Sequence, residues 1–270
     1  MIDYHVHTRR CGHASGQDRE YVETAISRGL TELGFSDHVP CYYEAPQGVK
    51  VSNRGMPRDG LEEYVVSVCK LKAQYPEITI KLGLEIDYVP GQEKRFEALL
   101  AQYPWDYLMG TVHFIPDWNF GYIGYDKEHS LEAIYQAYYH QVALAAETKL
   151  FDFLGHIDLP RRFFPQLPEE DMTDLEQSLA IRLGKAGAVV ELSTYAIRNA
   201  KQEEVGILPS ARLLRYCRQQ GVRVTAGSDA HAPSDVAADF DQVRALLRDV
   251  GYDTITTFTR RKAAQVKWRE

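Results

Sequence analysis

The chain has 270 residues, 44% of them hydrophobic and 26% charged, with a formal net charge of −7. That length suits one large α/β domain, and the apolar fraction is enough for a sizeable core. The acidic balance argues against a nucleic-acid binder, and the absence of any 18-residue apolar run argues against a membrane span.

Taken in chain order, short apolar or β-branched runs alternate with helical periods. The predicted strands are Ile2–Val6, Glu32–Ser36, Ile78–Ile86, Tyr107–Val112, Phe151–Gly155, Val189–Leu192 and Val222–Ala226. A helix is expected over Leu61–Gln74, where Leu61, Tyr64, Val65, Val68 and Leu71 fall at helical spacing. Thr173 to Glu176 reads as a capping box that opens a helix through Leu183. Pro209–Gln220 starts with proline and stops before Gly221. Ser234 is expected to cap a helix burying Val236, Phe240, Val243 and Leu247. The last eleven residues, with Arg260, Arg261, Lys262, Lys267 and Arg269, read as a solvated terminal helix face. Cys41–Gly60, rich in glycine and proline, is expected to loop over the site.

Seven strands separated by helices require parallel crossovers, and at this length a nearly closed barrel is the expected solution. No repeat, linker or low-complexity stretch divides the chain, so residues 1–270 form one expected domain. Cys11, Cys41, Cys69 and Cys217 contain no CxxC pair, which points to reduced thiols in a cytoplasmic protein and not to a thiolate zinc site.

The histidines carry the functional signal. Of nine, seven sit at or just after the C-terminal ends of predicted strands: His5, His7, His13, His38, His113, His156 and His231. His129 and His140 lie in a helical stretch. Loops after barrel strands build active sites. Imidazoles there, beside the strand-end carboxylates Glu85 and Asp229, suit zinc, iron or manganese. Alternation along a strand puts His5 and His7 on one face. A carboxylate inside the apolar run around Glu85 is costly unless it is paired or bound to a cation. Asp3, Asp37 and Asp158 are candidates to orient ligand rings through the second nitrogen, and Asp87 shares the Glu85 face.

In order, Asp3-Tyr4-His5-Val6-His7, Ser36-Asp37-His38, Glu85, His113, His156 and Ser228-Asp229-Ala230-His231 resemble the PHP (polymerase and histidinol phosphatase) family. The resemblance implies a distorted (β/α)7 TIM-like barrel holding three divalent ions. It assigns His5, His7, Glu85 and Asp229 to the first ion, Glu85, His113 and His156 to the second, and His13, His38 and His231 to the third. Segments 110–114, 155–163 and 191–198 are similar to the bacterial histidinol-phosphatase branch, although Ser193 stands where asparagine is commoner. That implies hydrolysis of L-histidinol phosphate to L-histidinol and phosphate, by attack of a metal-bridging hydroxide without a phosphoenzyme.

Arg198 and one of Arg161 or Arg162 are then expected on the phosphate. Asp229 or His231 is expected to relay a proton. Asp158, Glu44, Tyr42 and Trp118 are candidates for the rest of the substrate. Three readings compete: another PHP phosphoesterase acting on nucleotides or small phosphate esters, a polymerase-linked nuclease, and a metal-binding structural or regulatory protein with no turnover. The acidic charge and the lack of a second domain oppose the nuclease.

Overall fold

The computed structural model describes residues 1–39, 55–57, 59–118, 121–201 and 205–268. Its strands and helices alternate as the periodicities require. The chain runs β1 (Ile2–Val6), α1 (Asp18–Ser27), β2 (Glu32–Phe35), α2 (Gly60–Gln74), β3 (Thr79–Leu82), β4 (Glu85–Asp87), α3 (Glu93–Leu100) and β5 (Met109–Thr111). A small ribbon of β6 (Phe114–Ile115) and β7 (Gly121–Tyr122) follows, then α4 (Leu131–Thr148), β8 (Phe153–Leu154), α5 (Glu169–Ala186) and β9 (Val189–Ser193). The chain continues through α6 (Tyr195–Asn199), α7 (Ala211–Gln219), β10 (Arg223–Gly227) and α8 (Phe240–Val250), and ends in β11 (Thr254–Thr259) and β12 (Lys262–Lys267).

Two parallel sheets, β1-β2-β3 and β10-β9-β8-β5-β4, are joined at both edges. On one side, His38 bridges Glu85 in parallel register, with Glu85 N donating to Asp37 O at 3.0 Å and Val39 N to Glu85 O at 2.9 Å. On the other, Val6 bridges Ala230, with His7 N donating to Ala230 O at 2.9 Å and Ala230 N to His5 O at 3.0 Å. Because β3 and β4 are one stave interrupted at Gly83 and Leu84, the described residues form the expected seven-staved closed barrel. Tyr107 fills its interior, its hydroxyl donating to Tyr4 O at 2.8 Å and to Phe35 O at 3.1 Å. A β-carbon on Gly34 or Gly83 would overlap that ring, so glycine is required where the Tyr107 ring crosses the barrel.

Three expectations change. The basic C-terminus is an antiparallel hairpin and not a helix: β11 alternates Thr-Ile-Thr-Thr-Phe-Thr, a strand pattern, and Arg260 and Arg261 both have positive φ (49° and 62°), as a type I′ turn requires. The hairpin closes the N-terminal end of the barrel. Its turn binds Asp106 through Arg261 N (2.9 Å) and Asp152 through Arg261 Nε (2.9 Å), and Phe258 stacks on Phe153 at 5.5 Å. Helix α5 starts at Glu169, ahead of the expected capping box. Pro168 precedes three acidic residues that favour a helix N-terminus, and Glu176 is buried against Arg212 (2.6 Å). Ser234 lies in a 3₁₀ turn instead of capping α8, which begins after Asp239, although Val236, Phe240, Val243 and Leu247 are buried as expected. The Cys41–Gly60 loop lies largely outside the described residues, as do Tyr42 and Glu44. No helix among the described residues is long and apolar enough to cross a membrane.

Candidate metal centre

The seven strand-end histidines surround the C-terminal mouth of the barrel. At its centre is Glu85, 1% exposed. Oε2 of Glu85 lies 2.7 Å from His38 Nδ1, 3.4 Å from His7 Nε2 and 3.6 Å from His5 Nε2, while Oε1 lies 3.3 Å from His156 Nε2 and 3.9 Å from His113 Nε2. Asp229 Oδ1 approaches His7 Nε2 at 3.1 Å and His5 Nε2 at 3.4 Å. His13 and His231 close the rim, their Nε2 atoms 2.9 Å apart and their Nδ1 atoms each 3.0 Å from a backbone carbonyl, of Cys11 and Asp229 respectively. Both rings therefore turn Nε2 toward the same point.

A metal fits this donor set. His5 Nε2, both ring nitrogens of His7, and both oxygens of Glu85 are buried without a hydrogen-bond partner in the protein, a costly arrangement unless a cation takes them. Charge points the same way. Burial opposes ionisation of Glu85, yet His38, His5 and His156 hold its carboxyl well below the usual range, and Asp229 is held down likewise by His5 and His7 against burial. Burial disfavours a charged His5, but Glu191, Asp229 and Glu85 raise it well above its ordinary value; His7 is raised against burial to about 9 by Asp229 and Asp37. Burial and the nearby charge of His7 push His231 down to about 2. The carboxylates at the centre attract positive charge, which protons supply when no metal does.

Three groupings draw on the expected residues. His5, His7 and Asp229 bring ligand atoms within 4.8 Å of one another, as do His5, Glu85 and His156, and His7, His38 and His231. His113 stands beside the second group, its ring 4.9 Å from that of His156. Cys11 adds a buried thiol to His13 and His231. Sequence reading set the cysteines aside for want of a CxxC pair, and only the turn Arg9–Cys11 brings this one inward.

The orienting carboxylates are partly different from those expected. Asp87 holds His113, accepting from its backbone N at 3.0 Å and meeting Nδ1 at 2.8 Å. Asp37 Oδ1 is 3.6 Å from His7 Nδ1. Asp3 accepts instead from Ser228 N (2.9 Å), Ser228 Oγ (2.5 Å) and Ala237 N (2.8 Å), pinning the last metal loop to β1. The ring of His5 is held by Glu191, a residue sequence reading left without a role; its position inside the apolar run of β9 is the signal that could have found it.

Around the mouth the expected substrate residues separate. Asp158 is fully buried, accepting from Tyr139 Oη (2.7 Å) and Ser210 N (3.1 Å) and pairing with Arg161 (3.5 Å). Arg161 also donates to Val205 O and Ile207 O, so these two residues join the barrel wall to the segment before α7. Arg162 lies over the Tyr195 ring at 4.5 Å, and that ring is 5.4 Å from His231, which puts its guanidinium on the rim. Arg198 is held by Asp239 and Asp235. Trp118 stacks on His129 at 3.7 Å.

The chain is similar to known proteins over most of its length. The PHP domain profile matches residues 3–195. A "Probable histidinol-phosphatase" of Deinococcus radiodurans is 34% identical, covering 97% of this chain and 98% of that protein. The "Histidinol-phosphatase" of Bacillus subtilis is 28% identical over 88% of this chain and 96% of its own. The crystal structure of Lactococcus lactis histidinol phosphate phosphatase, complexed with zinc, L-histidinol and phosphate, superposes with a TM-score of 0.79 at 20% identity, covering 97% of this chain and 98% of that one. The chain is a member of the PHP domain family.

Proposed function

We propose that this protein is a metal-dependent phosphomonoesterase that hydrolyses L-histidinol phosphate to L-histidinol and phosphate, a step of histidine biosynthesis. The observation that carries the chemistry is Glu85, buried and ringed by five imidazoles, with both of its oxygens, His5 Nε2 and both ring nitrogens of His7 lacking a hydrogen-bond partner in the protein. The relatives named above, similar over nearly the whole chain, support the substrate.

In this reading His5, His7, Glu85 and Asp229 hold one divalent ion, Glu85, His113 and His156 a second, and His13, His38 and His231 a third, with zinc, iron or manganese all suited to these ligands. The bound ions supply charge neutralisation for the phosphoryl dianion and acidify the attacking water. The protein supplies the rest. Glu85 and Asp229 keep the imidazoles gathered and oriented. Arg162, braced on Tyr195 and donating from Nε to Asn199 O (3.0 Å), leaves its two terminal nitrogens for phosphoryl oxygens. Arg198 is held by Asp239 and Asp235, and would reach a phosphoryl oxygen only by exchanging one of these partners. The proton for the leaving oxygen would come from water at the site, with Asp229 or His231 placed to relay it. With no serine or cysteine nucleophile required, no phosphoenzyme forms.

The test is phosphate release from L-histidinol phosphate beside AMP and an aryl phosphate, with metal content quantified. The expected preference is at least about a hundredfold, roughly 2.7 kcal/mol of transition-state discrimination. Phosphate release should be lost in a folded His113→Ala variant. A metal-loaded protein that treats AMP equally well would leave a PHP phosphoesterase of other specificity.

A further inference from the structure

We propose that Glu191 is a positioning residue for the metal centre: one carboxylate fixes the ring of His5 and the backbone of His156, so that the ligands on two sides of Glu85 are set together. The inference rests on the metal-centre reading above.

Glu191 projects from β9 and is fully buried. Its Oε1 lies 2.7 Å from His5 Nδ1, and its Oε2 accepts the His156 backbone N–H at 2.9 Å. The two oxygens thus serve residues on two other strands, β1 and the end of β8. A carboxylate acceptor at Nδ1 keeps the proton there and leaves the Nε2 lone pair for a metal. That Nε2 faces Glu85 and Asp229. His156 needs the second bond for a different reason. Its φ of 26° is one that residues other than glycine rarely adopt, and the hydrogen bond from its N–H holds the peptide there. In that conformation Nε2 of His156 meets Glu85 Oε1 at 3.3 Å.

The neighbouring strand is built around this contact. Gly227, at the end of β10, pairs in register with Ser193. A β-carbon there would overlap both Glu191 Oε1 and His5 Cβ. Glycine therefore leaves the gap through which the carboxylate reaches His5. Asp87 serves His113 in a similar way, and Glu191 couples two ligands.

The experiment compares wild-type protein with Glu191→Gln, an isosteric change. An amide has one acceptor oxygen where the carboxylate has two. If its NH2 faces His5, the ring must carry its proton on Nε2, which blocks ligation. If it faces His156, two donors oppose each other. Zinc affinities are measured by chelator competition, and the cobalt-loaded proteins by visible absorption. The expected result is zinc binding weakened by about 10–100-fold and an altered cobalt spectrum, the size seen when an outer partner of a metal ligand is lost. Affinities within about twofold of wild type, or a lowered metal-free melting temperature with affinity unchanged, would overturn the proposal.

Should the variant not fold, zinc-loaded wild-type protein still decides by long-range ¹H–¹⁵N NMR. His5 is expected to be protonated at Nδ1 in slow exchange; an unprotonated Nδ1 would refute the inference. A wild-type protein that takes up no zinc would overturn this proposal and the metal-centre reading together. Normal zinc uptake by both proteins would overturn this proposal alone.

Discussion

Phe258→Ala separates the two ends of the barrel. Phe258 is 2% exposed and plugs the N-terminal end, stacked on Phe153 at 5.5 Å and tilted against Tyr4 at 6.2 Å and Tyr107 at 6.4 Å. Truncating a phenylalanine packed on all sides costs about 3–5 kcal/mol, as lost transfer energy plus the cavity left behind. At about 2.1 cal/mol/K per residue, unfolding of this chain carries an entropy of about 0.6 kcal/mol/K, so the melting temperature should fall by about 5–8 °C. The metal ligands sit at the opposite mouth, so zinc affinity should stay within about twofold of wild type. Calorimetry of metal-free and zinc-loaded protein, paired with chelator competition, measures both quantities. A drop below about 2 °C would show that the hairpin is not a plug. A normal fold with zinc affinity reduced more than tenfold would show that the two ends are not independent.

Two further outcomes are expected. Glu85→Gln removes the carboxylate shared by five imidazoles, and kcat/KM on a phosphate monoester should fall by at least about a thousandfold, roughly 4 kcal/mol, together with metal content; retained metal and rate would remove Glu85 from the centre. Asp158 is pushed up to about 6 by burial, against the opposing charge of Arg161. A carboxyl raised on folding favours the folded state most below its unfolded value near 4 and loses that contribution as pH rises through about 6. The two-unit shift corresponds to about 3 kcal/mol at most. Subtracting the stability curve of Asp158→Asn from that of wild type should therefore reveal a decline between pH 4 and 6, measured by urea unfolding. Parallel curves would refute it.

Much of the site was legible because its ligands follow strands, and strand ends are readable from β-branched runs. His5 and His7 alternate on β1, and their rings lie 5.0 Å apart. Their carboxylate partner Glu85 was conspicuous as a charge inside an apolar run. The contacts of single side chains were less legible. Arg161 and Arg162 are adjacent and chemically identical, yet the turn over Leu159–Arg162 sends one into the wall with Asp158 and the other over Tyr195. No pattern of residue types distinguishes them, because the choice is made by where Val205, Ile207 and Tyr195 lie in space. In the C-terminal hairpin the strand signal lies in the β-branched run Thr254–Thr259, and the basic residues after it carry none.

The sequence by itself determined the alternation of strands and helices, the seven strand-end histidines with Glu85 and Asp229, and the family to which they point. These are local properties: periodicity, and residue type at the end of a run. Only the tertiary structure decided how the ligands are shared around Glu85, which carboxylates hold them, and what seals the other end of the barrel. Glu191 reaches His5 across 186 positions of chain, and Asp3 reaches Ser228 across 225. Barrel closure brings the first strand beside the last, and no local pattern records which side chains then meet.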